Sequence, residues 1–139
     1  MIKKAVKSDI QKIIEIERSS FIDPWNEQLF KDALDSIFVF EKDRSLAGYI
    51  VFESVLDEGH ITNLAVAQGY QRQGVASKLI EHVLDIAKGL KIKQIFLEVR
   101  QSNEAAKKLY QKFGFKEIGK RKGYYPNAKE DAIIYRKGE

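Results

Sequence analysis

Three groups of residues in this chain have the types and spacing for chemistry. The first is Leu64-Ala65-Val66, then Gln71-Arg72-Gln73-Gly74-Val75-Ala76-Ser77, running without a break into an amphipathic stretch. A strand, a glycine-bearing turn and a helix start, in that order, make an anion cradle. Backbone N–H groups in the first helical turn have no partner inside the helix, and the helix dipole favours negative charge beside them. Gly74 lets the main chain approach a phosphate with no Cβ in the way. The turn reads Q-x-x-G-x-A, which is neither the G-x-x-x-x-G-K-[ST] nor the G-x-G-x-x-G pattern. The second is Glu98 in Phe96-Leu97-Glu98-Val99-Arg100. A carboxylate at the C-terminal end of an apolar strand lies where open α/β sheets place their ligands, and suits a general base. The same residue also reads as a strand-end charge paired with Arg100. The third is Tyr110, downstream of Asn103. Its phenol, of ordinary pKa about 10, can donate a proton, and at helical spacing it can equally fill a core. Asn103 is a residue type favoured as a helix N-cap.

These residues need a scaffold, and the hydrophobic pattern supplies one. Ile2 to Val6 reads as a strand. Ser8 and Gln11 have the spacing of a capping box for a helix with Ile10, Ile13, Ile14 and Phe21 on one face. Asp23-Pro24-Trp25 breaks it, and Asn26 caps a second helix bearing Leu29, Phe30, Ala33 and Leu34. Phe38 to Phe40 and Leu46 to Val55 form a hairpin about the turn Asp43-Arg44-Ser45. Ile61 to Val66 is the strand entering the cradle. Ala76, Leu79, Ile80, Val83, Leu84 and Ala87 keep helical spacing up to a stop at Gly89. Ile92 to Val99 is a strand. Asn103 opens a helix with Ala106, Leu109, Tyr110 and Phe113 inward, ended by Gly114. Phe115 to Ile118 and Ala132 to Tyr135 are the last strands, with a loop around Gly123-Tyr124-Tyr125-Pro126.

The cradle and this order of elements resemble the GNAT family of N-acetyltransferases over essentially the whole chain. Leu97-Glu98-Val99-Arg100-Gln101-Ser102-Asn103-Glu104-Ala105-Ala106, with Leu109-Tyr110 and Phe113-Gly114-Phe115, resembles the ribosomal-protein-alanine (RimI-like) subfamily. Phe21-Ile22-Asp23-Pro24-Trp25, Tyr124-Tyr125-Pro126 and Glu130-Asp131-Ala132-Ile133-Ile134-Tyr135 match it too. The resemblance implies an α/β (α+β) GNAT fold: a mixed sheet of about seven strands, about four helices, and a splayed strand pair holding acetyl-CoA. It implies that Leu64, Ala65, Val66 and Gln71 to Ser77 (Gln71, Arg72, Gln73, Gly74, Val75, Ala76 and Ser77) bind the cofactor together with Asn103. Glu98 is then the proton acceptor and Tyr110 the proton donor, and Trp25, Tyr124 and Tyr125 wall the acceptor site. Glu58, on a strand with His60 and Thr62, is a reserve base. The chain departs from the family's commoner pattern at Gln71, where many relatives have Arg, and at Ala76, where many have Gly.

On this reading the chemistry is acyl transfer from a thioester to an amine. A backbone N–H aimed at the thioester oxygen from Leu64-Ala65-Val66 is worth roughly 3–4 kcal/mol in a dry site. Tyr110 can protonate a thiolate whose acid has a pKa of about 8.5. A peptide α-amine, of pKa about 7.7–8 against about 10.4 for lysine, is already partly neutral at cytoplasmic pH. The expected activity is N-α-acetylation of a protein N-terminus, with a small-subunit ribosomal protein starting in alanine as acceptor. Lysines, polyamines and other small amines stay open as acceptors, and so does a non-catalytic acyl-CoA-binding module.

The remaining composition sets bounds. The 139 residues, 44% of them hydrophobic and 32% charged, suit one domain spanning 1–139. No apolar run approaches the roughly 20 residues of a membrane span. With no cysteine there is no thiolate nucleophile or Cys-based metal site, and the two histidines are scattered, so no metal is expected. A cytoplasmic monomer is the expectation. The net charge is +4, with Lys107, Lys108, Lys112, Lys116, Lys120, Arg121 and Lys122 close together. That cluster reads as a solvated face, as a contact for a cofactor's phosphates, or as a surface for an RNA-bound partner. No signature of direct nucleic-acid readout accompanies it.

Overall fold

The computed structural model describes residues 1–127 and 129–138. The elements run β1 (Ile2–Lys4), α1 (Ile10–Ser20), α2 (Glu27–Asp32), β2 (Ile37–Lys42), β3 (Ser45–Val55), β4 (Glu58–Val66), α3 (Val75–Gly89), β5 (Gln94–Arg100), α4 (Glu104–Lys112), β6 (Lys116–Tyr125) and β7 (Glu130–Gly138). The strands form one seven-stranded sheet in the order β1-β2-β3-β4-β5-β7-β6. β4 and β5 pair parallel, and the other neighbours pair antiparallel.

β3 explains why the sheet is covered on both faces. Its middle is an unbroken apolar run, and successive side chains of a strand point to opposite faces except at a bulge, where Phe40 faces Gly48 and Glu41 faces Leu46, leaving Ala47 as the extra residue. Ala47 and Ile50 enter a core with Leu79, Ile80 and Val83 of α3, Leu97 of β5 and Tyr110 of α4. Leu46, Tyr49 and Val51 enter a second core with Ile10, Ile13 and Ile14 of α1 and Phe30 of α2. Helices α1 and α2 thus lie on one face, and α3 and α4 on the other.

The β4–β5 pair is short. Glu58 to Ile61 pair with Gln94 to Leu97, and from Thr62 onward the two strands part. The same point carries a bulge: Val51 faces Asn63 and Phe52 faces Ile61, which leaves Thr62 as the extra residue. A bulge bends its strand and increases local twist, turning the end of β4 away from β5. This is the splayed pair expected from the sequence.

Several local expectations are corrected. Ser8 does not cap α1. Residues Lys7–Asp9 form a 3-10 turn in which the Asp9 carboxylate accepts from Val6 N at 2.9 Å. Phe21 is the extended residue after α1 rather than part of its face. α2 stops at Asp32, and Leu34 opens a 3-10 turn, so the helix buries Phe30 while Leu29 stays exposed. Gly89 is still helical. The left-handed residue after α3 is Lys91, at φ 60°, where Lys91 N donates to Lys88 O and Ile92 N to Ala87 O. Those two bonds are a Schellman closure, and seating Ile92 against the core decides which residue turns. The segment around Tyr124 is strand, not loop: β6 runs through Tyr125, with an irregularity in its pairing to β7 after Arg121. The basic cluster lies on α4 and β6, and most of it faces solvent.

Candidate active site

Glu98 owes its position to alternation along β5. Leu97 and Val99 are in the core under α3 and α4, so Glu98 projects to the opposite face, the side of α1 and α2. Tyr110 comes from the other direction, being a buried member of the α3–α4 core. Yet both line one cavity of about 590 Å³. The cavity therefore passes through the sheet where β4 and β5 part, with the carboxylate on one face and the phenol on the other. Leu64, Asn103, Trp25, Tyr124 and Tyr125 line it as well, as do Glu58 and His60.

Each predicted residue can be placed. The side chain of Glu98 is 25% exposed and its Oε1 lies 3.3 Å from Arg121 Nε. Burial raises the Tyr124 phenol above its ordinary pKa, and the charge and hydrogen bond of Glu98 beside it add to the shift. Tyr124 and Tyr125 sit edge to face, their centroids 5.0 Å apart. The Arg100 guanidinium lies over the Tyr125 ring at 4.1 Å, and burial pushes that phenol up to about 12. Burial likewise raises Tyr110, so its proton is in place at neutral pH. A tightly held proton is a poorer donor, but a thiolate leaving into the same dry pocket is destabilised by the same desolvation. Asn103 does cap α4, its Oδ1 accepting from Ala106 N at 3.1 Å.

The strand edge divides as its register dictates. Ala67 N donates to Ala47 O across the β3 ladder. Alternation puts the Ala65 amide on that same side and turns the Leu64 and Val66 amides toward the gap left by β5, where the Leu64 N–H is taken up by Asn63 Oδ1 at 2.9 Å. Ala65 instead contributes its side chain to the α1–α2 core. The cradle residues do not line the cavity but follow β4 directly. Gly74 has φ +80°, in the left-handed region, and no atom lies within 4 Å of where its Cβ would be. No side chain caps α3, so the first-turn amides of Val75, Ala76 and Ser77 keep their capacity for an anion. Gln73 is held by Lys42 Nζ at 2.7 Å. These residues fit a pyrophosphate.

Other residues of the site went unread in the sequence. Glu17, 1% exposed, accepts from Trp25 N at 2.9 Å, from Asn63 Nδ2 at 2.8 Å and from the Tyr49 hydroxyl. Asp23 lies 3.5 Å from Arg100 and accepts from Asn127 N at 3.3 Å, joining the α1–α2 loop to the β6–β7 hairpin. Glu17 had one available signal, its place on the same helical stripe as Ile10, Ile13 and Ile14. Among the described residues no group of His, Asp and Glu could hold a metal ion, and no helix is long and apolar enough to cross a membrane.

The acetyltransferase (GNAT) family model matches residues 10–115. The chain belongs to the GNAT family. It is an acyltransferase, and acetyl-CoA is its acyl donor. The [ribosomal protein bS18]-alanine N-acetyltransferase of Escherichia coli (strain K12) is 35% identical to it over 132 residues, 91% of this chain and 89% of the relative. The crystal structure of the E. coli ribosomal-protein-S18-alanine N-acetyltransferase superposes with a TM-score of 0.92 at 34% identity, covering 99% of this chain and 92% of that one. Ard1 from Thermoplasma volcanium gives a TM-score of 0.93 at 25% identity, over 99% and 96% of the two chains.

Proposed function

We propose that this GNAT enzyme acetylates the α-amine of a protein N-terminus, with an N-terminal alanine of a small-subunit ribosomal protein as acceptor. Glu98 takes the amine proton and Tyr110 gives a proton to the leaving sulfur. One observation carries this reading: the cavity crosses the sheet and brings Glu98 to one face and Tyr110 to the other. An amine arriving between Trp25, Tyr124 and Tyr125 meets the carboxylate. A thioester arriving along the seam from the cradle lies by the phenol, so transfer is direct and no covalent enzyme intermediate is needed. Acetyl-CoA supplies the activated acyl group. The cradle from Gln71 to Ser77 holds its pyrophosphate, Asn103 contacts it at the start of α4, and the Leu64–Val66 edge faces its acyl end. The names of relatives at 30% identity and above support the acceptor class. A cytoplasmic site of action follows from such an acceptor, and nothing in the reaction requires a second copy of the chain.

A panel of peptides differing in their first residues, with N-terminally blocked lysine-containing controls, tests the proposal. Acetylation of free N-termini that disappears on blocking, strongest for alanine, is the expected result. Acetyl-CoA binding without transfer to any free N-terminus overturns it. A small amine as acceptor has no comparable support, because the relatives at 30% identity and above are named for an alanine of a ribosomal protein.

A further inference from the structure

Glu17 is the buried charged residue that acid–base chemistry leaves unused. A carboxylate at 1% exposure is costly to desolvate unless it is fully hydrogen-bonded. Its three donors come from three different elements of the chain. The Tyr49 hydroxyl comes from β3, Asn63 Nδ2 from β4 and the Trp25 amide from the α1–α2 loop. Asn63 carries the connection one step further. With its Nδ2 fixed on Glu17 Oε1, its Oδ1 accepts from Leu64 N at 2.9 Å, on the edge that faces the seam. One side chain thus fixes the Trp25 wall, through Oε2, and the end of β4, through Oε1.

We propose that Glu17 is a positioning residue for acyl transfer, holding the Trp25 wall of the acceptor site in register with the Asn63–Leu64 edge of the donor site. The inference rests on the acceptor reading above. Its chemistry needs a carboxylate. Glutamine offers one oxygen and one NH₂ group, so if the oxygen stays with Tyr49 and Asn63, the NH₂ meets the Trp25 N–H, donor against donor. The acceptor wall is then released while the cofactor side is kept. A carboxylate that merely satisfied the core would show no such asymmetry.

The test compares Glu17→Gln with Tyr49→Phe, which removes a donor to the same carboxylate but touches neither wall. Trp25 is the only tryptophan in the chain, so its fluorescence reports the wall directly. In Glu17→Gln, acrylamide quenching of Trp25 rises and the KM for an alanine-initiated peptide increases about tenfold, while the KM for acetyl-CoA stays within twofold. Tyr49→Phe lowers the melting temperature but leaves quenching and both KM values unchanged. Asn63→Ala, which keeps the Trp25 bond, lowers kcat with little effect on peptide KM, and it carries the test if Glu17→Gln does not fold. Overturning results are a Glu17→Gln protein that loses stability with quenching and KM ratio unaltered, or an Asn63→Ala protein with wild-type kcat. Should the wild type acetylate no free N-terminus, the acceptor reading fails by itself. The quenching comparison then still decides whether Glu17 holds Trp25.

Discussion

Replacing Glu98 with glutamine is the sharpest test of the chemistry. The substitution keeps the volume and an oxygen for Arg121, whose Nε lies 3.3 Å away, and removes the negative charge together with the capacity to accept a proton. A positioned general base contributes about 10²–10⁴ in rate, or about 3–5 kcal/mol of barrier, so kcat at pH 7 falls by at least a hundredfold. The deficit has a pH signature set by the acceptor. An α-amine of pKa about 7.8 is roughly one-seventh neutral at pH 7 and more than nine-tenths neutral at pH 9. Residual turnover of the variant therefore rises about sevenfold over that interval, as solvent takes over the first deprotonation. Steady-state release of free CoA, with product mass read in parallel, measures both effects. A kcat within threefold of wild type at pH 7 refutes the assignment. If Glu58→Gln gives the hundredfold loss instead, the base is Glu58, whose Oε1 lies 2.9 Å from His60 Nε2 in the same cavity.

Three further outcomes are expected. Gly74→Ala puts a Cβ on a residue at φ +80°, which costs roughly 1–2 kcal/mol. If the turn relaxes to escape that strain, calorimetry shows acetyl-CoA affinity weakened about tenfold, and unchanged affinity and melting temperature would contradict the cradle. Lys91→Gly relieves the left-handed φ of 60° after α3 and raises stability by about 1 kcal/mol, seen as an upward shift in thermal melting. The third concerns Tyr49, Tyr110 and Tyr125, whose pKa values are raised by burial in the fold. A proton held more tightly in the folded state stabilises it fully below the unfolded value of about 10, and this contribution is lost as pH rises through the folded values. Native protein at pH 11 thus lacks the phenolate absorbance at 295 nm of these three tyrosines, and denaturant releases it.

What the sequence disclosed depended on whether the deciding interaction was local. Asn26 and Asn103 were legible as caps because the bond each makes closes within three residues, to Leu29 N and Ala106 N. Gly74 and Gly114 both take the positive φ that their places at a helix start and a helix end require. Gly89 misled because the turn after α3 is set by where Ile92 meets the core, a condition imposed from outside the helix. The reach of β6 was hidden for a similar reason. Gly123 N is held by the Asp131 carboxylate on the neighbouring strand, at 2.8 Å, so a glycine-tyrosine stretch that reads as loop is kept in the sheet. Glu17 was the largest omission. A charge on a helix reads as solvated, and only Tyr49, Asn63 and Trp25, distant in sequence from one another, make it a buried centre.

The short β4–β5 contact also bears on how the molecule comes apart. Strands β1 to β4 succeed one another as neighbours in the sheet, and β5, β6 and β7 form a second contiguous group. Between the groups, strand pairing amounts to the residues from Glu58 to Ile61 against those from Gln94 to Leu97. Helix α3 packs chiefly on β2, β3 and β4, within the first group, and meets the second through the shared core around Leu97 and Val99. Partial unfolding then has a natural fault line, and amide hydrogens along it exchange before those inside either group. A ligand lying in the seam spans the fault. Its binding free energy counts as cohesion between the halves, so protease resistance tracks the acyl-donor concentration by mass action.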